Sequence, residues 1–169
     1  FFCAFADRYH DEPTPMTDAP VTIDDLGYEV SFGDDDVAEI RSGERAWAFV
    51  RIELHHDWTT VGAFTDFLYK NVDDLSRISE ALAAREPITV VHHDSGGNNV
   101  EVLEYDPTYA KVRFESAADS LPDDGVWIDR EELLSTLVDA LDAITVLVSG
   151  LNPDVADGID AEEKLARVK

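Results

Sequence analysis

The chain predicts an α+β domain: an antiparallel sheet of about five to six strands with two main amphipathic helices packed on one face. Three observations carry that prediction. Short segments alternate apolar and polar residues, the period of a half-buried strand, and turn-forming residues separate them. Two longer stretches repeat apolar residues at helical spacing. The connections between strands are of hairpin length, which favours antiparallel pairing.

The elements follow in order. Residues 1–15, "FFCAFADRYHDEPTP", have neither the basic start nor the apolar run of a signal peptide. "MTDAPVTIDD" after them has the character of a natural beginning, so 1–15 read as upstream sequence, a fragment edge or a mis-called start. The domain is assigned to 16–150, and 151–169 to an acidic, flexible tail with at most one loose turn of helix at 160–167. Within 27–33, Tyr28, Val30 and Phe32 alternate with Glu29 and Ser31, which predicts a strand. Residues 34–36 read as a turn and 37–41 as a second short strand, the two strands forming a hairpin. The longest strand is expected over 45–56, with Ala46, Ala48, Val50, Ile52 and Leu54 facing the core. Trp47, Phe49, Arg51, Glu53 and His55 then face the other way.

Residues 60–85 carry helical period through Val61, Phe64, Phe67, Leu68, Val72, Leu75, Ile78 and Leu82; residues 71–74 offer a break at which Asp73 or Asp74 would cap a second helix, and Pro87 ends the run. Strands are expected over 88–93, 99–105 and 109–116, joined by turns at 94–99 and 106–108. A second helix opens at Asp129, with Glu132 three residues on as in a capping box. Its stripe is Leu133, Leu137, Leu141, Ile144 and Val148, widened by Val138, Val146 and Leu147. Gly150 and Pro153 stop it.

Composition speaks to setting. The 169 residues include 37 acidic and 13 basic side chains, a net charge of −24. Asp outnumbers Glu 23 to 14, and only four Lys are present. This composition resembles that of proteins from extreme halophiles, above all haloarchaea. At molar salt the Debye length is about 3 Å, so self-repulsion is screened while carboxylates stay hydrated. In such a cell net charge is nearly silent about partners, and nucleic acid stays open. Cys3 is the only cysteine, so no disulfide can form within the chain, as suits a cytoplasmic protein. No uninterrupted apolar run approaches the roughly 20 residues of a membrane span, so no membrane partner is expected.

Four of the five histidines lie in two His-His-Asp triplets: His55, His56, Asp57 and His92, His93, Asp94. His and Asp are ligands for zinc or another divalent metal, and the triplets are the candidate metal residues. Neighbouring strand residues point to opposite faces, so one shared site needs one His from each pair. The spacing matches no established metal motif, and strand exits followed by capping Asp residues are the favoured explanation of both triplets. "DSGGNN" leads into a strand rather than a helix, which makes it a turn and not a phosphate cradle. The chain has no GxSxG nucleophile elbow. Trp47, Phe49, Val146 and Leu147 form the candidate interface, because apolar residues on so charged a surface call for a partner. The function expected is a non-enzymatic binding or assembly module, a homo-oligomer or a protein's partner, in a halophile's cytoplasm or its virus. A metal-binding protein or metal-dependent enzyme is the alternative, and a transcription-associated module the third.

Overall fold

A computed structural model describes residues 20–43, 48–92 and 99–169. Residues 1–15 and Trp47, His93 and Asp94 lie outside the described residues. The chain is a mixed α+β protein. Among the described residues the strands are β1 (Thr22–Ile23), β2 (Leu26–Ser31), β3 (Phe49–His56), β4 (Thr59–Phe67), β5 (Ile88–Val91), β6 (Asn99–Tyr105), β7 (Tyr109–Phe114) and β8 (Val126–Asp129). The helices are α1 (Asp34–Ser42), α2 (Leu68–Ala84), α3 (Arg130–Leu151), α4 (Pro153–Gly158) and α5 (Ala161–Val168).

The strands form two sheets rather than the single antiparallel sheet expected. One is five-stranded in the order β1-β8-β7-β6-β5, with β1 parallel to β8 and the other pairs antiparallel. The other is antiparallel in the order β2-β3-β4. They meet where β4 runs beside the segment after β7. There the Ala118 N–H donates to the Thr60 carbonyl at 3.2 Å. The Ser116 hydroxyl accepts from the Ala63 N–H at 2.8 Å and donates to the Ala63 carbonyl at 3.2 Å, standing in for a missing ladder bond. Gly62 permits this approach, because a Cβ there would collide with the Phe114 ring.

Helices α2 and α3 pack on each other and cover the apolar face of the sheets, α2 against β4 and β5 and α3 against β2 and β8. One core cluster joins them through Ile52, Leu54, Phe64, Leu75, Val102, Val112, Ile128, Leu137 and Ile144. The opposite face of the larger sheet is charged, with Glu101 paired to Arg113, and Lys111 to Glu104 and Asp124. Such inside–outside alternation is what the strand sequences predict.

Two segments take a different form from the one expected. Residues 37–41 are helical, as part of α1, not a strand. Three Asp residues occupy the positive N-terminal turn. Asp36 accepts from the Gly33 N–H at 3.0 Å, and Gly43 closes the helix in the left-handed region at φ 86°. Residues 59–67 are β4, and the helix begins only at Leu68 and runs unbroken through 71–74, so Asp73 and Asp74 lie inside it and cap nothing. Val61, Gly62, Ala63 and Phe64 are all buried, because β4 is covered on both faces, which erased the strand's period.

The C-terminal segment also departs from expectation. Residues 151–169, read as a flexible tail, carry α4 and α5, and Val155, Ala156, Ile159, Ala161 and Leu165 are buried against the other helices. Asn152 caps α4 by accepting from the Asp154 N–H at 3.1 Å, with Pro153 at the first turn. Helix α3 is long and apolar enough to cross a membrane by length and composition alone. Its buried stripe from Leu133 to Val148 packs in the core, as the central helix of a folded domain does.

Candidate functional site

The first histidine pair sits at the end of β3. A two-residue turn, Asp57–Trp58, joins β3 to β4, and Asp57 takes a positive φ of 52°, which a short polar side chain tolerates. The pairing shifts register between Leu54 and His55, so strict alternation fails there and both imidazoles are half-buried. His55 Nε2 lies 3.6 Å from Glu53 and His56 Nε2 lies 3.7 Å from Asp57. Each histidine therefore has its nearest carboxylate on its own strand or turn.

His92 has another setting. It follows β5 on the face of Val90, as alternation predicts, and is 3% exposed. Its ring lies 5.9 Å from that of Phe64 on β4. Among the described residues no three His, Cys, Asp or Glu side chains gather as a metal would need. Those described residues of the two triplets thus stand apart, with His55, His56 and Asp57 at one hairpin end and His92 in the seam between the sheets.

Around His92 lies a buried polar cluster that the sequence did not single out. Asp66, Asn71 and Asp74 are fully buried. Asp66 occupies a core-facing position of β4, paired with Val50. It accepts from the Phe67 N–H at 2.7 Å where strand turns into helix. Asn71 donates to the carbonyls of Val50 at 2.8 Å and Asp66 at 3.2 Å, tying α2 to both strands. Lys70 and Asp74, one helical turn apart, form a direct ion pair, and Arg77 stands 3.8 Å from Asp74. Burial pushes the Asp74 carboxyl above the usual carboxylate range, opposed by its hydrogen bond and charge pairing with Lys70 and then by His92 and Arg77. Burial also pushes His92 below the usual imidazole range, against the pull of Asp74 and Asp66. The available signal in the sequence was the pattern Lys70–Asp74–Arg77 on the apolar side of a helix, which resembles an ordinary solvated charge run.

The candidate interface divides. By the alternation of β3, Phe49 lies on the sheet face away from the helices, where its ring meets Phe67 at 4.4 Å and Phe67 stacks on Tyr69 at 6.0 Å. Val146 and Leu147 lie on α3, in the helical layer, 65% and 46% exposed. Beside them α3 and α5 bound an open groove of about 510 Å³, lined by Val146, Thr145, Ser149, Leu165 and Ala166. Asp142, Glu162 and Lys169 rim it. Helix α5 supplies half of this groove; the sequence pointed to no more than one loose helical turn at 160–167, because eight residues in acidic surroundings show little more than two turns of a pattern.

Comparison with protein-family models, with curated proteins and with solved structures found no match.

Proposed function

We propose that the protein is a non-catalytic assembly module that pairs with a second copy of itself through the α3–α5 surface, in a halophile's cytoplasm or one of its viruses. The observation that carries this is the exposure of Val146 and Leu147 beside an open, partly apolar groove on a chain of net charge −24. Such a patch is a marker for a contact surface. A second copy suits it because ridge and groove adjoin on one face. A twofold axis then lets each copy insert Val146 and Leu147 beside the other's α5.

Charge supports the same partner. The last six residues hold three of the chain's 13 basic side chains, Lys164, Arg167 and Lys169. Helix α3 presents Asp139 and Asp142 nearby, with Asp142 accepting from Lys169 at 2.9 Å. Residues 161–169 set Glu162 and Glu163 against Lys164, Arg167 and Lys169, a nearly balanced patch on a chain of net charge −24, so two such segments meet across a twofold with little repulsion.

Salt dependence tests the proposal. Apolar burial strengthens with salting-out ions, and self-repulsion fades as the Debye length shrinks. Light scattering at size exclusion is expected to show more dimer between about 1 M and about 3 M KCl. Val146→Glu/Leu147→Glu alters only exposed side chains and is expected to give a folded monomer. A wild-type chain that stays monomeric at high salt and high concentration removes the proposal. So does a dimer indifferent to the double substitution.

A further inference from the structure

A sheet edge is open to pairing with another chain unless the protein blunts it, and the edges here differ in that respect. Among the described residues, β1 and β5 are the edges of the larger sheet and have only two and four residues. In the smaller sheet, β4 is sealed by its bonds with Ser116 and Ala118. Strand β2 is the exception. It has six residues, contains no proline or lysine, and pairs only with β3.

The ladder fixes which backbone groups of β2 are free. Ser116 accepts from the Ala63 N–H and donates to the Ala63 carbonyl, so Ala63 makes no ladder bond to Glu53 opposite it. Glu53 therefore turns its own N–H and carbonyl to β2 and bonds Glu29. Bonded and unbonded pairs alternate, so Tyr28 and Val30 point their N–H and carbonyl groups away from β3. Leu26 is in step, since its N–H goes to Glu132. Tyr28 and Val30 make no other hydrogen bond among the described residues.

The side chains define what fits beside them. Tyr28 and Val30 lie on the helix-covered face with Leu54 and Ile52, yet Tyr28 is 38% exposed at the open edge. On the other face Glu29 stands directly opposite Glu53, a like-charge pair that costs stability. Arg51 and His55 attend Glu53, whereas Glu29 has no ion pair among the described residues. From Pro20 to Ile40 the chain carries seven carboxylates and no Lys or Arg. Two copies of such an edge repel each other, and a basic strand is drawn to it.

We propose that the β2 edge receives an extended, basic segment of a partner protein as an added antiparallel strand. The backbone of that segment bonds Tyr28 and Val30. Its residues alternate: apolar ones cover Tyr28 and Val30, and Arg or Lys between them meets Glu29. The β2-β3-β4 sheet becomes four-stranded. This contact needs no second copy and leaves the α3–α5 surface free.

The test uses the full chain in molar KCl and a capped peptide of about eight residues alternating valine and arginine. Pairs in direct contact persist there, although longer-range attraction is screened. With peptide at about ten times its Kd, amide exchange at Tyr28 and Val30 is expected to slow roughly tenfold. A peptide with glutamate in place of arginine is expected to bind at least about fivefold more weakly. Glu29→Lys, at an exposed position, is expected to reverse that preference. Tyr28→Pro removes an outward N–H without breaking a bond to β3, and is expected to abolish binding. Should that variant fail to fold, a peptide N-methylated on its bonded face removes the same ladder and is expected not to bind. The proposal is overturned by Tyr28 and Val30 amides that ignore the basic peptide, by equal binding of the acidic one, or by binding that survives loss of the ladder. It is overturned as well by protection of those amides that rises with protein concentration alone, which makes the occupant a second copy.

Discussion

At the scale of single residues, close packing and buried charge set the strongest constraints. A Cβ added at Gly62 would overlap the Phe114 ring at its root, where the ring cannot swing away. Gly62→Ala is therefore expected to lose stability at or beyond the upper end of the roughly 1–3 kcal/mol typical of overpacking, read from denaturant unfolding in molar KCl. The Lys70–Asp74 pair makes a different prediction. Lys70→Met leaves a fully buried Asp74 without its main partner and is expected to cost roughly 3–5 kcal/mol. Lys70→Met/Asp74→Leu removes both charges and is expected to recover most of that loss; equal losses in the two variants would refute the pairing. The pH signs follow from the same burial. His92 is held below its unfolded value near 6.5, so the unfolded chain takes up protons first and stability falls as pH drops below that value. Asp74 is held above its unfolded value of 3.8, so the folded chain keeps the proton longer. Its contribution is full below 3.8 and is lost as pH rises through the raised value.

At the scale of elements, legibility followed periodicity. The strand at 109–116 and the helix opening at Asp129 were plain, because one face of each is apolar and the other charged. Asp129 indeed accepts from the Glu132 N–H at 3.0 Å. Elsewhere the pattern failed for physical reasons. Strand β4 is buried on both faces, and β1 and β8 have two and four residues, too few to show a period. Helix α1 is announced by its acidic first turn and left-handed Gly43 rather than by its weak apolar stripe. Glu132 also departs from the capping-box expectation. Its carboxylate turns to the β1–β2 corner, accepting from Asp25 N–H at 3.0 Å and Leu26 N–H at 2.7 Å. Glu132→Ala is expected to leave α3 capped while costing roughly 1–3 kcal/mol. Exchange at the Asp25 and Leu26 amides should accelerate; unchanged protection there would show the carboxylate to be dispensable.

At the scale of the whole molecule, charge and core act in opposition. Net repulsion among 24 excess negative charges destabilises a compact chain, and the apolar core resists it. Far-UV dichroism is expected to show the fold lost as KCl is diluted below about 1 M and recovered on its return. A chain fully folded in dilute buffer would remove the halophile reading. The candidate site was legible only in part, because it depends on non-local meetings. Val146 and Leu147 stood out in the sequence, yet the groove beside them needs Leu165 and Ala166 from a helix folded back on α3. His92 likewise stood out, but its neighbours Asp66 and Asp74 lie 26 and 18 positions earlier and look like ordinary surface acids.

The bond from Glu132 to the β1–β2 corner links residues 106 and 107 positions apart, and β1 lies against a strand equally late in the chain. On the ribosome the corner emerges long before its partners. The β2-β3-β4 sheet has its strand partners by residue 67, so it can pair while the corner waits for α3 to be made. The first segment synthesised is thus among the last to be secured.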